Sequence, residues 1–188
     1  MTDERDAGPP RPASPRRISF AEVSGAAMTA LLDGDLATAS AAAGAALTPY
    51  FLTARARGLW RYRLGQMAAD PGRARWMARQ AVVGDGGLVV GHAGFHGPPD
   101  ARGMVEIGYS VDPAFRRRGY ARAALVELLR RAAAEPSVTV VRATISPDNT
   151  ASLATIAGFG FVEVGEQWDD EDGLETVFEV PANAAPTA

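Results

Sequence analysis

The chain has 188 residues, 47% of them hydrophobic and 22% charged, with a net charge of −3. Those proportions suit one globular domain with a core large enough to fold alone. They give no general pull toward nucleic acid, and no basic stripe is interleaved with aromatics. Cysteine is absent and histidine occurs only at His92 and His96. That excludes disulfides and thiolate catalysis, and argues against a metal site. No apolar run reaches membrane-spanning length, so no membrane partner is expected.

In chain order, residues 1–15 carry Pro9, Pro10, Pro12 and Pro15 among small and charged residues and read as a disordered leader. The segment SPRRISF, Ser14 to Phe20, is similar to a twin-arginine export signal. Glu22, Asp33 and Asp35 interrupt the apolar region that such a signal needs, so a cytoplasmic protein is expected. Arg17 to Phe20 reads as a short first strand. Helices are predicted from Ala26 to Ala46, broken near Asp33–Asp35, and from Pro49 to Met67, with Asp70-Pro71-Gly72 as a turn. Ala81 to Val83 and Leu88 to Phe95 flank GDGG as a hairpin. MVEIGYSV, Met104 to Val111, is the next strand. A helix from Gly119 to Ala134 sets Leu125, Leu128, Leu129 and Ala132 on one side and ends at Glu135-Pro136. Val138 to Ile145 is a buried strand and Asn149 to Ala157 a short helix. Phe161 to Trp168 and Leu174 to Val180 form a hairpin closed by DDEDG. The strand–helix–strand unit implies one parallel pair, with a ligand at the carboxyl ends of its strands. The domain is expected to span 16–181, followed by a flexible tail, 182–188.

The most informative run is VDPAFRRRGYARAALVELL, Val111 to Leu129. A helix beginning near Gly119 leaves its first amides without intrahelical partners at the positive end of its dipole, a place suited to a diphosphate. Gly119 lacks the Cβ that would hold a phosphate away, Ala121 keeps the next contact small, and Arg116, Arg117 and Arg118 add charge. Past the buried strand comes SPDNTASLATIAGFGF, in which Asn149 and Ser152 lie one helical turn apart and can cap the helix or hydrogen-bond a ligand amide.

Arg116, Gly119 and Ala121 fit Q/R-x-x-G-x-G/A, and Asn149, Ser152 and Gly160-Phe161 fit N-x-x-S…G-F. With both motifs in this order, the chain resembles the GCN5-related N-acetyltransferases (GNAT), most closely their ribosomal-protein-alanine acetyltransferase-like branch. The resemblance implies an α+β fold: a central mixed, mostly antiparallel sheet of six to seven strands with a splayed parallel pair, flanked by helices. It implies direct acetyl transfer from acetyl-CoA to a primary amine, on a small molecule or a protein N-terminus, and homodimers are frequent among similar proteins. The cofactor set it implies is Ser110, Val111, Arg116, Arg117, Arg118, Gly119, Tyr120, Ala121, Asn149 and Ser152. The family's strand before the phosphate loop bulges; Gly108 and Ser110-Val111-Asp112 suit a bulge here, with amides near Tyr109 to Val111 polarising the thioester.

Glu106, in the middle of an apolar strand, occupies the position of a family glutamate that acts as general base, often through water. Tyr109 is the second candidate for moving a proton. Many members carry a tyrosine on the last helix where this chain has Ile156, which leaves open a non-catalytic acyl-CoA-binding sensor or partner-binding module. His92 and His96 share one strand face and read as structural before they read as pocket-lining. Trp168 with Asp169, Asp170, Glu171, Asp172 and Glu175 reads first as a solvated hairpin, second as a patch for a cationic amine.

Overall fold

The computed structural model describes residues 16–77, 79–170 and 173–184. The leader, the last four residues of the tail, and Glu171 and Asp172 of the acidic run lie outside the described residues. Among the described residues seven strands form one sheet: β1 (Ser19–Val23), β2 (Arg79–Val83), β3 (Val89–Phe95), β4 (Met104–Val111), β5 (Val140–Ile145), β6 (Val162–Asp169) and β7 (Gly173–Pro181). Their order is β1-β2-β3-β4-β5-β7-β6. Only β4 and β5 run parallel; the other neighbours are antiparallel. The sheet is mixed and mostly antiparallel, as the family fold implies.

Among the described residues six α-helices cover the sheet: α1 (Gly25–Asp33), α2 (Leu36–Ala43), α3 (Ala54–Ala69), α4 (Ala74–Met77), α5 (Tyr120–Ala133) and α6 (Thr150–Ile156). The break between α1 and α2 has a local cause. Gly34 takes a left-handed φ of 83° to close α1, and Asp35 opens α2 by accepting from the Thr38 amide at 2.9 Å. The first strand begins later than its sequence suggests and runs on to Val23, which is buried against α1. Asp70-Pro71-Gly72 leads through a single helical turn into α4 rather than straight into β2.

Two apolar layers result. On one face α5 buries Ala124, Leu125, Leu128, Leu129 and Ala132 against β3, β4 and β5. On the other, α1, α2 and α3 enclose Met28, Leu31, Phe51 and Trp60. A fully buried leucine contributes about 1.5–3 kcal/mol, so the α5 stripe alone anchors that helix and the loop before it. Ala182, expected to begin the flexible tail, is buried, and its N–H donates to Thr139 O at 2.9 Å. The packed chain therefore runs past the expected boundary, because the end of β7 closes against the start of β5.

Candidate active site

β4 and β5 pair over only three residues: Met104 with Val140, Val105 with Val141 and Glu106 with Arg142. β4 continues to Val111 beside β3, while β5 stays paired to β7 along its whole length to Ile145. Each strand follows its antiparallel partner, and a gap opens between them. In an antiparallel ladder alternate residues bond to a given neighbour. His96 N–H donates to Glu106 O and Asp112 N–H to Val90 O, so the even-numbered residues of β4 bond toward β3. The peptide groups of Ile107, Tyr109 and Val111 therefore face the gap. One expectation is overturned: β4 holds an unbroken register with β3 from Ile107 to Val111, so there is no bulge at Gly108 or at Ser110–Asp112. The divergence of β5 opens the gap, and the register shifts lie elsewhere, in β2 at Val82/Val83 and in β6 at Glu163/Gly165.

The gap leads to the arginine loop. Arg116, Arg117, Arg118 and Gly119 are all exposed. Arg117 at φ 61° and Gly119 at φ 82° are both left-handed and turn the backbone sharply into α5. Gly119 is the N-cap of α5 and no side chain caps the helix, so its first amides are available to an anion. Arg116 Nε donates to Val111 O at 3.1 Å, which ties the loop to the end of β4. The Tyr120 ring is buried in the core, so what it can offer an anion is its amide. Arg16, the first arginine of SPRRISF, lies across this loop: its Nε donates to Arg118 O at 3.0 Å and its guanidinium pairs with Asp85 at 2.7 Å.

Beside the gap lies a cleft of about 610 Å³, lined by His96, Glu106, Gly108 and Tyr109, by Asn149 and Ser152, and by Arg55, Asp169 and Glu175. Glu106 is half-buried. Its Oε1 accepts from Thr144 Oγ1 at 2.9 Å and lies 3.3 Å from His96 Nδ1. Burial works against its charge, but His96, Thr144 and the Arg142 guanidinium outweigh burial and hold its pKa below the ordinary carboxylate value. Burial, together with the charges of Arg79 and Arg63, pushes His96 below its ordinary value despite the pull of Glu106. His96 thus sits in the cleft and against the carboxylate, a placement that residue type and strand face did not reveal. The available signal was its position opposite Glu106 across the β3–β4 turn.

The remaining candidates separate by face. Ser110 points to the α1–α3 side, where its Oγ meets Tyr50 Oη at 2.5 Å. Tyr109 points the other way, onto the α5-side core. Its phenol oxygen is buried beside Ser152 and Thr155 without a well-formed hydrogen bond, and burial raises its pKa. Tyr109 and Glu106 therefore flank the gap from opposite faces rather than forming one pair. Asn149 caps α6, accepting from the Ser152 amide at 3.1 Å, and both residues line the cleft. Ile156 is buried in the core. Asp169 and Glu175, expected first as part of a solvated turn, line the same cleft.

A family model described as an acetyltransferase (GNAT) domain matches residues 35–162, more than half of the chain. The protein belongs to the GNAT family. Among GNAT relatives, the chain is 36% identical over 74 residues to the uncharacterized N-acetyltransferase YjdG of Bacillus subtilis strain 168, a stretch covering 39% of this chain and 44% of that one. It is 38% identical over 84 residues to L-2,4-diaminobutyric acid acetyltransferase of Streptomyces coelicolor, covering 44% and 49%. The chain thus spans about half the length of the curated relatives it matches. The fold is similar to that of Mycobacterium smegmatis RimJ in complex with CoA-disulfide, with a TM-score of 0.63 at 21% identity over 93% of this chain and 88% of that one.

Proposed function

We propose that this GNAT protein is an acetyl-CoA-dependent N-acetyltransferase that passes an acetyl group directly to a primary amine. The observation that carries the reading is the β4–β5 gap, with open peptide groups along one edge, an uncapped helix start at one end and a carboxylate at the other. The first amides of α5 and the arginines at 116–118 would hold the pyrophosphate, and the peptide groups of Ile107 and Tyr109, with the Val111 N–H, would pair with the pantetheine arm. Asn149 and Ser152 stand on the far wall. The solved RimJ structure is a complex with CoA-disulfide, which supports a CoA thioester as the cosubstrate here.

Acetyl transfer needs the amine deprotonated, the thioester carbonyl polarised and the reactants aligned. The acceptor's proton leaves on the α1–α3 face, where Glu106 and the His96 ring against it line the cleft. A β4 amide at the gap polarises the carbonyl. Tyr109, kept protonated by burial on the opposite face, would protonate the departing thiolate, a role Ile156 cannot take. Asp169, Glu175 and Glu106 bring three carboxylates to the cleft against the guanidinium of Arg55, a balance that suits an ammonium acceptor. The diaminobutyrate specificity of one relative makes a small diamine the first acceptor to try. With no described helix long and apolar enough to cross a membrane, a cytoplasmic site of action is part of this reading.

Calorimetric titration of acetyl-CoA into the wild type and into Gly119→Glu tests the cosubstrate. Wild-type binding with at least about a hundredfold loss in the variant supports the reading, since a carboxylate at the helix start replaces an anion site with an anion. A folded wild type that binds neither acetyl-CoA nor CoA overturns it. Buried Ile156 at the position of the family tyrosine favours a second reading, an acyl-CoA sensor. Binding without thiol release across a panel of amines would select that one.

A further inference from the structure

His96 and Glu106 stand directly opposite each other where β3 and β4 begin to pair, joined by the His96 N–H to Glu106 O bond of 2.8 Å. On the same face their side chains meet again, His96 Nδ1 lying 3.3 Å from Glu106 Oε1. Thr144 fixes the carboxylate from β5, and Arg63 of α3 donates to the His96 carbonyl, so both partners are clamped through their backbones or side chains. The ring's other nitrogen is placed by an absence. A Cβ at position 108 would lie 2.5 Å from His96 Nε2, so the ring occupies space that only glycine leaves open. Gly108 lines the cleft beside the gap. The imidazole is therefore held by a carboxylate at one nitrogen and packs the other over Gly108 on the cleft wall, beside the Arg79 guanidinium, while its side chain keeps 44% of its surface exposed.

We infer that His96 is the group that takes the acceptor's proton, with Glu106 as the residue that orients and steadies it. The inference rests on the acetyl-transfer reading and gives the proton transfer a definite atom, Nε2, in place of a bridging water. The groups facing the ring are Glu106 on β4, Arg79 on β2 and Arg63 on α3, and beyond Glu106 lies Arg142 on β5, itself paired to Glu179 of β7 at 2.6 Å. The two buried arginines favour an uncharged ring, the state a base needs when the acceptor arrives. Imidazole is also ordinarily the stronger base of the pair, at 6.5 against 4.5 for the carboxylate. Nε2 takes one proton from the ammonium, and the nitrogen lone pair so freed forms the N–C bond to the thioester carbon. The C–S bond then breaks with its electron pair on sulfur. The second nitrogen proton balances the leaving thiolate, the third stays on the amide, and Nε2 returns its proton to water.

The test combines ring titration with turnover in the full chain. With two histidines in the sequence, the ring signals of His96 and His92 are separable by NMR, and His92 serves as the internal control. Glu106→Gln should move the His96 ionisation to lower pH and leave His92 unmoved. His96→Gln should lower kcat/KM by about a hundredfold or more and remove the acidic limb of the pH–rate profile, while acetyl-CoA affinity stays unchanged. The acceptors are 2,4-diaminobutyrate, spermidine and a peptide with a free α-amine, read by thiol release. A His96 ionisation unmoved in Glu106→Gln, or a His96→Gln variant within about threefold of wild type, overturns the relay while the acetyl-transfer reading stands. A wild type that binds no acetyl-CoA, or binds it and releases no thiol with any acceptor, overturns the acetyl-transfer reading and the relay with it.

Discussion

His92 and His96 sit four residues apart on one face of the same strand region, and they meet opposite surroundings. His92 is buried among aromatics, stacked on Tyr50 at 6.1 Å and edge-on to Trp60 at 5.2 Å and Phe51 at 5.9 Å. Burial, and then the charges of Arg79, Arg55 and Arg63, push its pKa down to about 3. His96, at the open end of the strand, meets a carboxylate and a glycine. One ring is held neutral as packing material, and the other is wired to a site. Residue type and strand face set what a histidine can do. The partners brought in by α3, β2 and β4 decide which of those things it does.

The largest expected effect that sharpens this contrast is Glu106→Gln. It should reduce kcat/KM by about 10²–10⁴-fold while leaving acetyl-CoA affinity within about threefold, measured by thiol release and calorimetry. An equal loss on replacing His92 would erase the contrast. Next is Gly108→Ala, whose methyl would crowd Nε2 of His96 and the Arg79 guanidinium. The displaced ring should cost up to about a hundredfold in kcat/KM, because misplacing a reacting group by an ångström is that expensive. Unchanged kinetics with a shifted Tm would mean the ring's position is immaterial.

The packing role of His92 predicts a pH effect on stability. Its folded pKa lies below the unfolded value near 6.5, so between the two the unfolded chain binds a proton that the folded chain does not. Stability therefore rises with pH across that window, and His92 alone should account for about 2 kcal/mol lost between pH 7 and pH 5. His96, also lowered, adds in the same direction. Urea unfolding of wild type and His92→Phe at the two pH values checks this, with a flatter dependence expected in the variant. The smallest effect is expected from Arg79→Met. Removing that buried charge should move the His96 ionisation upward in an NMR titration, since Arg79 is among the groups that lower it. No movement would show that Arg79 serves its Gly94 carbonyl bond alone.

Much of the fold was legible because its signals are local. The Asp33–Asp35 break and the α5 stripe each follow from spacing within one element, whereas β5, read as a buried strand, buries only alternate residues. The arginine loop was legible for the same reason, since Gly119 and its arginines are contiguous. What sequence missed depends on pairs of distant segments. Gly108 was read as a bulge because glycine in a strand permits one, yet its use here is to admit the imidazole of His96, just past the end of β3. Asp169 and Glu175 look like any charged turn until β6 and β7 fold across the cleft. Arg16 reaches the arginine loop from the far end of the chain.

By itself the sequence determined the element order, the parallel unit, the helix start with its arginines, and the presence of a carboxylate in an apolar strand. These follow from periodicity, from turn chemistry and from the cost of placing a charge among apolar neighbours. Tertiary structure alone decided where β5 leaves β4, because a strand follows whichever partner bonds it along its full length. It also decided which histidine meets Glu106, because that depends on register between strands and on the space one missing Cβ leaves.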